Sequence, residues 1–321
     1  MTYEHTTVAV TGASGYLGAA LSHTLATTQA RLLMVSRSAP PPIAGADVLI
    51  ADVRDRVCWE TIVQRADVIF HAAGNTSVHA AAQDPAGSLS STLLPLTHLA
   101  AAAREARRAP RVLYASTARV YGGVPTLPAS EAAGTEPLAP FGLHSLLAEQ
   151  LLTLASHQGV LDAIVLRLGN VFGPSPSGRA ADERNAINKV TRLAMRGADL
   201  PLFGDGLHLR DFVYIDDVVR AFLTLGAIPS GGGRVFNVAS GHGTTVRDAF
   251  HLIATRAERA TGRQSRVREV PWPDEDARLD GDDFTADIAS IASACGWMPA
   301  VTFADGIDRL IDHIVRTPLD G

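Results

Sequence analysis

Three glycines, Gly12, Gly15 and Gly18, are spaced G-x-x-G-x-x-G in the stretch Thr7-Val8-Ala9-Val10-Thr11-Gly12-Ala13-Ser14-Gly15-Tyr16-Leu17-Gly18. The apolar run Val8–Val10 precedes them. Leu17, Ala20, Leu21, Thr24 and Leu25 follow at helical spacing. Strand, glycine turn and helix come in the order that a dinucleotide-binding turn requires. In that reading Gly12 permits the tight turn, Gly15 lets the backbone approach a pyrophosphate, and Gly18 lets the helix pack on its strand. The free amides at the helix start then face the phosphates. A flexible loop accounts for the glycines but not for the elements on either side.

Such a turn needs a sheet behind it. Apolar runs at Arg31–Val35, Asp47–Ala51, Asp67–His71, Arg111–Ala115 and Ala163–Leu168 read as further strands. Ala- and Leu-rich helical stretches lie between them, notably Leu93–Arg107 and Leu143–His157. The alternation predicts an α/β fold, a doubly wound parallel sheet of Rossmann type with helices on both faces. Ligands of such sheets sit beyond the carboxyl ends of the strands. The second half changes character. Gly173–Gly178 is punctuated at almost every position, a helix is expected over Arg184–Arg196, and further strands at Asp211–Ile215 and Arg234–Val238. Gly231–Gly233 reads as a turn, and the acidic Pro271–Asp283 as a surface loop. The expected division is a dinucleotide-binding domain over residues 1–172, rejoined by about 211–240, and a smaller C-terminal α/β substrate domain over 173–210 and 241–321.

Composition limits the partners. The chain has 321 residues, 46% hydrophobic and 19% charged, with a net charge of -5. That balance gives no reason to expect nucleic acid or an anionic membrane. No apolar run reaches the roughly 18 residues of a membrane span. The N-terminal residues lack the order of a signal peptide, so a cytoplasmic protein is expected. Cys58 and Cys295 match no metal or redox spacing, and His71 and His79 have no ligand partner at metal spacing, so no metal is expected. Of the 28 basic residues only Lys189 is a lysine.

These segments resemble the extended short-chain dehydrogenase/reductase family, especially its nucleotide-sugar epimerases, dehydratases and 4-ketoreductases. Thr11–Gly18 resembles the family's glycine turn, and Asp52-Val53 its adenine-contacting pair. His71-Ala72-Ala73-Gly74 resembles the run that lies along the cofactor, and Tyr114–Gly122 the strand carrying the catalytic Ser/Thr, here Thr117. Arg167–Pro174 resembles the lead into the substrate domain. Phe203–Gly206 with Arg210–Val218 resembles the nucleotide-sugar phosphate-binding segment. The resemblance implies cofactor contacts from Gly12, Ser14, Gly15, Tyr16, Leu17, Gly18, Asp52, Val53, Ala72, Ala73 and Gly74. It implies substrate contacts from Asn75, Thr76, Ser116, Asn170 and Arg210, with Arg210 as a bidentate partner for a diphosphate. It also implies a homodimer paired through the helices near Leu93–Arg107 and Leu143–His157. The second strand ends in Ser36-Arg37, where NAD binders of the family carry an acid. An arginine there accommodates a 2′-phosphate, so NADP is expected, with NAD as the alternative.

One departure bears on the chemistry. The family's acid/base pair is Tyr-x-x-x-Lys, two residues on one helical face. The segment here is Pro140-Phe141-Gly142-Leu143-His144-Ser145, with Phe141 at the tyrosine position and Ser145 at the lysine position. A positioned general acid contributes roughly 10²–10⁴-fold. His144 and Tyr121 are the candidate replacements, beside Thr117; packing roles for both are the alternative. Phe141 and Ser145 are then pocket-lining residues. Three readings follow. One is an NADP-dependent enzyme acting on a nucleotide-activated keto sugar or related specialised metabolite with a relocated acid/base. The second is a non-redox cyclase, lyase or isomerase on the same fold, and the third an inactive binding or partner subunit.

Overall fold

Successive residues of a strand face opposite sides of its sheet, and here both sides are apolar. Val8, Val10, Leu32, Met34, Val68 and Phe70 join one buried cluster, while their neighbours Ala9, Leu33, Val35 and Ile69 join another. A sheet apolar on both faces must be covered on both, the condition met by parallel strands joined through helices.

The computed structural model describes residues 3–124, 126–176, 185–272 and 282–317. The strands are β1 (Thr7–Thr11), β2 (Arg31–Ser36), β3 (Asp47–Ile50), β4 (Val68–His71), β5 (Arg111–Thr117), β6 (Asp162–Leu168), β7 (Asn170–Phe172), β8 (Leu200–Phe203), β9 (Leu209–Tyr214), β10 (Arg234–Val238), β11 (Gly243–Thr245) and β12 (Val267–Val270). The helices are α1 (Tyr16–Leu25), α2 (Arg56–Arg65), α3 (Val78–Gln83), α4 (Pro85–Ala106), α5 (Pro140–His157), α6 (Ala186–Met195), α7 (Ile215–Gly226), α8 (Val246–Thr261), α9 (Ala289–Cys295) and α10 (Phe303–Arg316).

Seven strands form one parallel sheet in the order β10-β6-β5-β4-β1-β2-β3. Helices α1 and α7 cover one face through Leu21, Leu25, Phe222 and Leu225; α2, α4 and α5 cover the other through Trp59, Leu96, Leu99 and Leu152. This is the Rossmann arrangement. The strand order reverses at β1, so the crevice lies between the carboxyl ends of β1 and β4.

Beyond that edge β7, β9 and β11 form a three-stranded sheet, and β8 pairs with β12. The strand expected at Asp211–Ile215 runs over Leu209–Tyr214 and belongs to the small sheet, whereas that at Arg234–Val238 joins the main one. Helix α4 starts eight residues before the expected Leu93, at Pro85, where Asp84 accepts a bond from the Gly87 amide. Pro95 sits inside it, although an internal proline removes one backbone bond. Of the two expected loops, residues 177–178 and 273–281 lie outside the described residues. No helix among the described residues is long and apolar enough to cross a membrane.

Candidate functional site

The glycine turn closes because three side chains are missing. Gly12 has φ +73°, in the left-handed region, and a Cβ there would stand 2.8 Å from the Ala72 carbonyl oxygen and 2.9 Å from Ala73 Cα. A Cβ on Gly18 would stand 2.1 Å from the Gly12 carbonyl oxygen. The glycines thus bring β1, α1 and the run after β4 to backbone contact. Gly15 is the N-cap of α1 and provides no side-chain cap, so the first amides of the helix stay open to an anion. Ser14 is half-buried beside Ser38, and Leu17 is half-buried against the core. The Tyr16 hydroxyl donates to the Gly173 carbonyl at 2.6 Å, and Ser175 Oγ donates to the Tyr16 carbonyl at 2.6 Å, tying the turn to the segment after β7. The cradle fits a dinucleotide pyrophosphate.

At the end of β2 the two expected ribose contacts separate. Arg37 is exposed, near enough to Asp52 for its charge to be felt there. Ser36 is buried and its hydroxyl donates to the Ser38 carbonyl at 2.6 Å, within its own turn. Asp52 grips Arg54 at 2.6 and 3.1 Å, which holds its carboxyl below the usual carboxylate range. The Val53 carbonyl accepts from Trp59 Nε1 at 2.7 Å. Gly74 and Thr76 are exposed, and Asn75 Oδ1 accepts from the Ser77 amide at 2.9 Å.

His71 closes β4 beneath the turn. Its Nδ1 lies 2.7 Å from Thr11 Oγ1, its ring stacks on Tyr114 at 5.8 Å, and Nε2 has no hydrogen-bond partner among the described residues. Burial pushes its pKa down to about 4. The unfolded chain then binds a proton near pH 6.5 that the folded chain refuses until about pH 4. Stability from this group is therefore full above pH 6.5 and lost as the pH falls to 4, about 3 kcal/mol in all. Urea midpoints across that window should fall more steeply for the parent than for His71→Gln, by close to one proton; equal slopes would exclude this assignment.

Beyond the strand ends lies a pocket lined by Val78, Ala118, Arg119, Gly122, Leu138, Ala139, Gly142, Asn170, Arg210, Asp282 and Phe284. Asn170 and Arg210 were expected there. Arg210 is buried, and its guanidinium donates to the carbonyls of Leu209, at 2.9 Å, and Asp282. Thr117 ends β5 beside this pocket. Its Oγ1 accepts from the Arg119 amide at 3.2 Å, which uses a lone pair and leaves the O–H proton to donate.

Three expected site residues are engaged elsewhere. His144 turns to α4, its Nδ1 3.0 Å from Ser88 Oγ, and burial lowers its pKa. The Tyr121 hydroxyl donates to Asn237 Oδ1 at 2.7 Å while its ring stacks on Phe284 and carries Arg167 at 4.7 Å. Burial raises its pKa, so it is a poor acid. Ser116 Oγ donates to Glu149 Oε1 at 2.5 Å inside a buried ion pair with Arg167. None of the three lines the pocket. Phe141 is half-buried, and the Ser145 hydroxyl donates back to the Phe141 carbonyl at 2.9 Å. Sequence reasoning missed Arg119, Asp282 and Glu149. Glu149 was within reach, since 141, 145 and 149 share one helical face. No described group of three or more His, Cys, Asp or Glu side chains converges as a metal site would.

With this geometry in hand, comparison with known proteins is decisive for the family. Residues 8–239 match the model of the NAD dependent epimerase/dehydratase family. A UDP-glucose 4-epimerase of Azospirillum brasilense is 31% identical, covering 94% of this chain and 90% of the relative. The structure of MoeE5 in complex with UDP-glucuronic acid and NAD is 26% identical, covers 97% of this chain and 99% of that one, and superposes with a TM-score of 0.84. RMD from Pseudomonas aeruginosa, complexed with NADPH, is 25% identical over 96% of this chain and 98% of its own, with a TM-score of 0.79. A family model spanning most of the chain, the glycine cradle and the Thr117 strand end agree: the chain belongs to the NAD dependent epimerase/dehydratase family, and its relatives include a UDP-glucose 4-epimerase and a dTDP-glucose 4,6-dehydratase.

Proposed function

We propose that this chain binds NADP(H), with NAD as the alternative. In this reading it acts on a nucleotide-linked keto sugar or related metabolite, by ketoreduction or by epimerisation or dehydration, without a tyrosine–lysine pair. The observation that carries the reading is a backbone cradle made by Gly12, Gly15 and Gly18 together with a pocket lined by Asn170 and Arg210, with Thr117 ending β5 directly before the lining residues Ala118 and Arg119. Arg210 pairs with the diphosphate and Asn170 orients the sugar. The nicotinamide, when bound, supplies the hydride chemistry. The Thr117 O–H donates to the sugar oxygen, and Asp282 is the carboxylate among the described lining residues that can exchange a proton. A non-redox reaction on the same scaffold is the second reading, supported by the commitment of both His144 and Tyr121 to internal partners.

The molecule pairs as a homodimer in this reading. Leu89 and Leu94 on α4, with Leu143, Leu147 and Leu154 on α5, are apolar side chains left exposed on two adjoining helices. Native mass spectrometry, alone and with NADPH or NAD⁺, tests cofactor and stoichiometry together. A dimer carrying NADP(H) and turning over 4-keto sugar nucleotides is expected. Absence of dinucleotide under every condition overturns the redox reading, and turnover that survives its removal selects the second.

Arg37 sets the cofactor preference. A charged hydrogen bond to the 2′-phosphate is worth about 1.5–3 kcal/mol, so Arg37→Ala should weaken NADPH roughly 10–100-fold and change NADH little. Equal losses for the two cofactors would show that Arg37 does not read the phosphate.

A further inference from the structure

A second arginine lines the pocket. Arg210 enters from β9 and is the diphosphate partner of the proposed function. Arg119 enters from a different wall, on the 3₁₀ turn Ala118–Val120 that directly follows Thr117. Its backbone is fixed at two points. The amide donates to Thr117 Oγ1 at 3.2 Å. The carbonyl occupies the space a side chain at 142 would need, 2.4 Å from the ideal Cβ of Gly142. Arg119 is therefore locked between the end of β5 and the first turn of α5. Leu138, Ala139 and Gly142 line the same wall and offer no charge. Arg119 is a second arginine of the pocket lining, two residues after Thr117, in addition to the one assigned to the diphosphate.

We infer that Arg119 is a specificity-determining residue that selects a nucleotide-linked sugar carrying an anionic substituent on the ring, a carboxylate above all. The inference rests on the proposed function and names its substrate class. A planar guanidinium matches a carboxylate by two parallel hydrogen bonds, which a neutral hydroxymethyl group cannot reproduce. Specificity follows because a neutral sugar leaves the cation facing a group that offers it no charge. Arg119 makes other contacts within the protein, so anion binding is an exchange of partners, not the filling of a vacancy.

Calorimetric titration of the dinucleotide-saturated protein tests this in two stages. UDP and dTDP are titrated first. The glucuronate and glucose esters of whichever binds are then compared on the parent, Arg119→Gln and Arg119→Lys. The parent should prefer the glucuronate ester by about tenfold or more. Arg119→Gln should bind the two esters equally, Arg119→Lys should recover part of the preference, and the free diphosphate should bind all three proteins alike. No preference in the parent, or a preference that survives Arg119→Gln, overturns the inference. So does an equal loss for both esters and the free diphosphate, which would make Arg119 a second diphosphate contact. Failure of both UDP and dTDP to bind overturns the proposed function itself, and the inference with it.

Discussion

Replacing Phe141 by tyrosine and Ser145 by lysine raises dinucleotide-dependent turnover of a 4-keto sugar nucleotide by about 10²–10⁴-fold, the contribution of one positioned general acid. The scaffold around these two residues is intact. Gly142 packs on the Arg119 carbonyl, Ala139 and Gly142 line the pocket, and Thr117 ends the neighbouring strand. What is missing is a proton. Phe141 has none to give, and Ser145 returns its own to the Phe141 carbonyl. Phe141 is half-buried and belongs to none of the apolar clusters, so a hydroxyl added to it stays outside the packed interior. Residue 145 is tighter. It is buried, with its hydroxyl against the Tyr114 phenol, and a lysine stem must find its way past that ring. Phe141→Tyr alone should therefore supply most of the gain. Ser145→Lys alone should supply little, since a cation with no phenol to acidify has no role in proton transfer. Initial rates of NADPH oxidation at saturating sugar nucleotide measure both. A double variant that binds both ligands yet turns over no faster than the parent would mean that residue 141 does not reach the reacting oxygen.

The sheet, the glycine turn and the position of α5 were legible because each is written in local spacing. Short continuous apolar runs gave the strands, and a three-residue glycine interval gave the cradle. The polar residues of the site were less legible because their partners are remote. His144 is three positions from Phe141, close enough on a helical wheel to be placed near the pocket. Three residues place it roughly 60° around the helix from Phe141, and that offset turns it to Ser88, 56 positions earlier. Tyr121 follows the catalytic strand directly, but its acceptor Asn237 is 116 positions away on β10. Ser116 and Thr117 are adjacent in sequence and fall on opposite faces of β5, so one reaches the Glu149–Arg167 pair while the other ends beside the pocket. Arg119 is visible in the sequence as a charged residue after a strand end. Only the packing of the 3₁₀ turn against Gly142 gives it a place among the lining residues.

That Glu149–Arg167 pair carries the largest expected loss of stability, about 3–5 kcal/mol for Glu149→Ala, the usual cost of stranding one member of a buried ion pair. Both side chains are nearly sealed from solvent, at 3% and 7% exposed. Arg167 Nη2 and Nε donate to Glu149 Oε2 at 2.7 and 3.1 Å, and Ser116 donates to Oε1. The arginine also sits over the Tyr121 ring. Removing the carboxylate strands the guanidinium among groups that cannot neutralise it and takes the acceptor from Ser116. Deletion of a methylene or two explains only a fraction of such a loss; the uncompensated charge explains the rest. The discriminating variant is Glu149→Leu with Arg167→Met, which removes both charges and restores apolar volume. It should be more stable than Glu149→Ala, because the cost lies in the unpaired ion and not in the loss of the attraction. Urea unfolding of the parent, the single and the double variants measures the difference. A Glu149→Ala loss below about 1 kcal/mol would place the pair with exposed ion pairs and contradict its burial. The same substitution should lower activity more than its effect on folding requires. Glu149 fixes Ser116, Ser116 is joined to Thr117 by one peptide bond, and in the proposed function the Thr117 hydroxyl must hold its direction toward the sugar for the O–H to be of use.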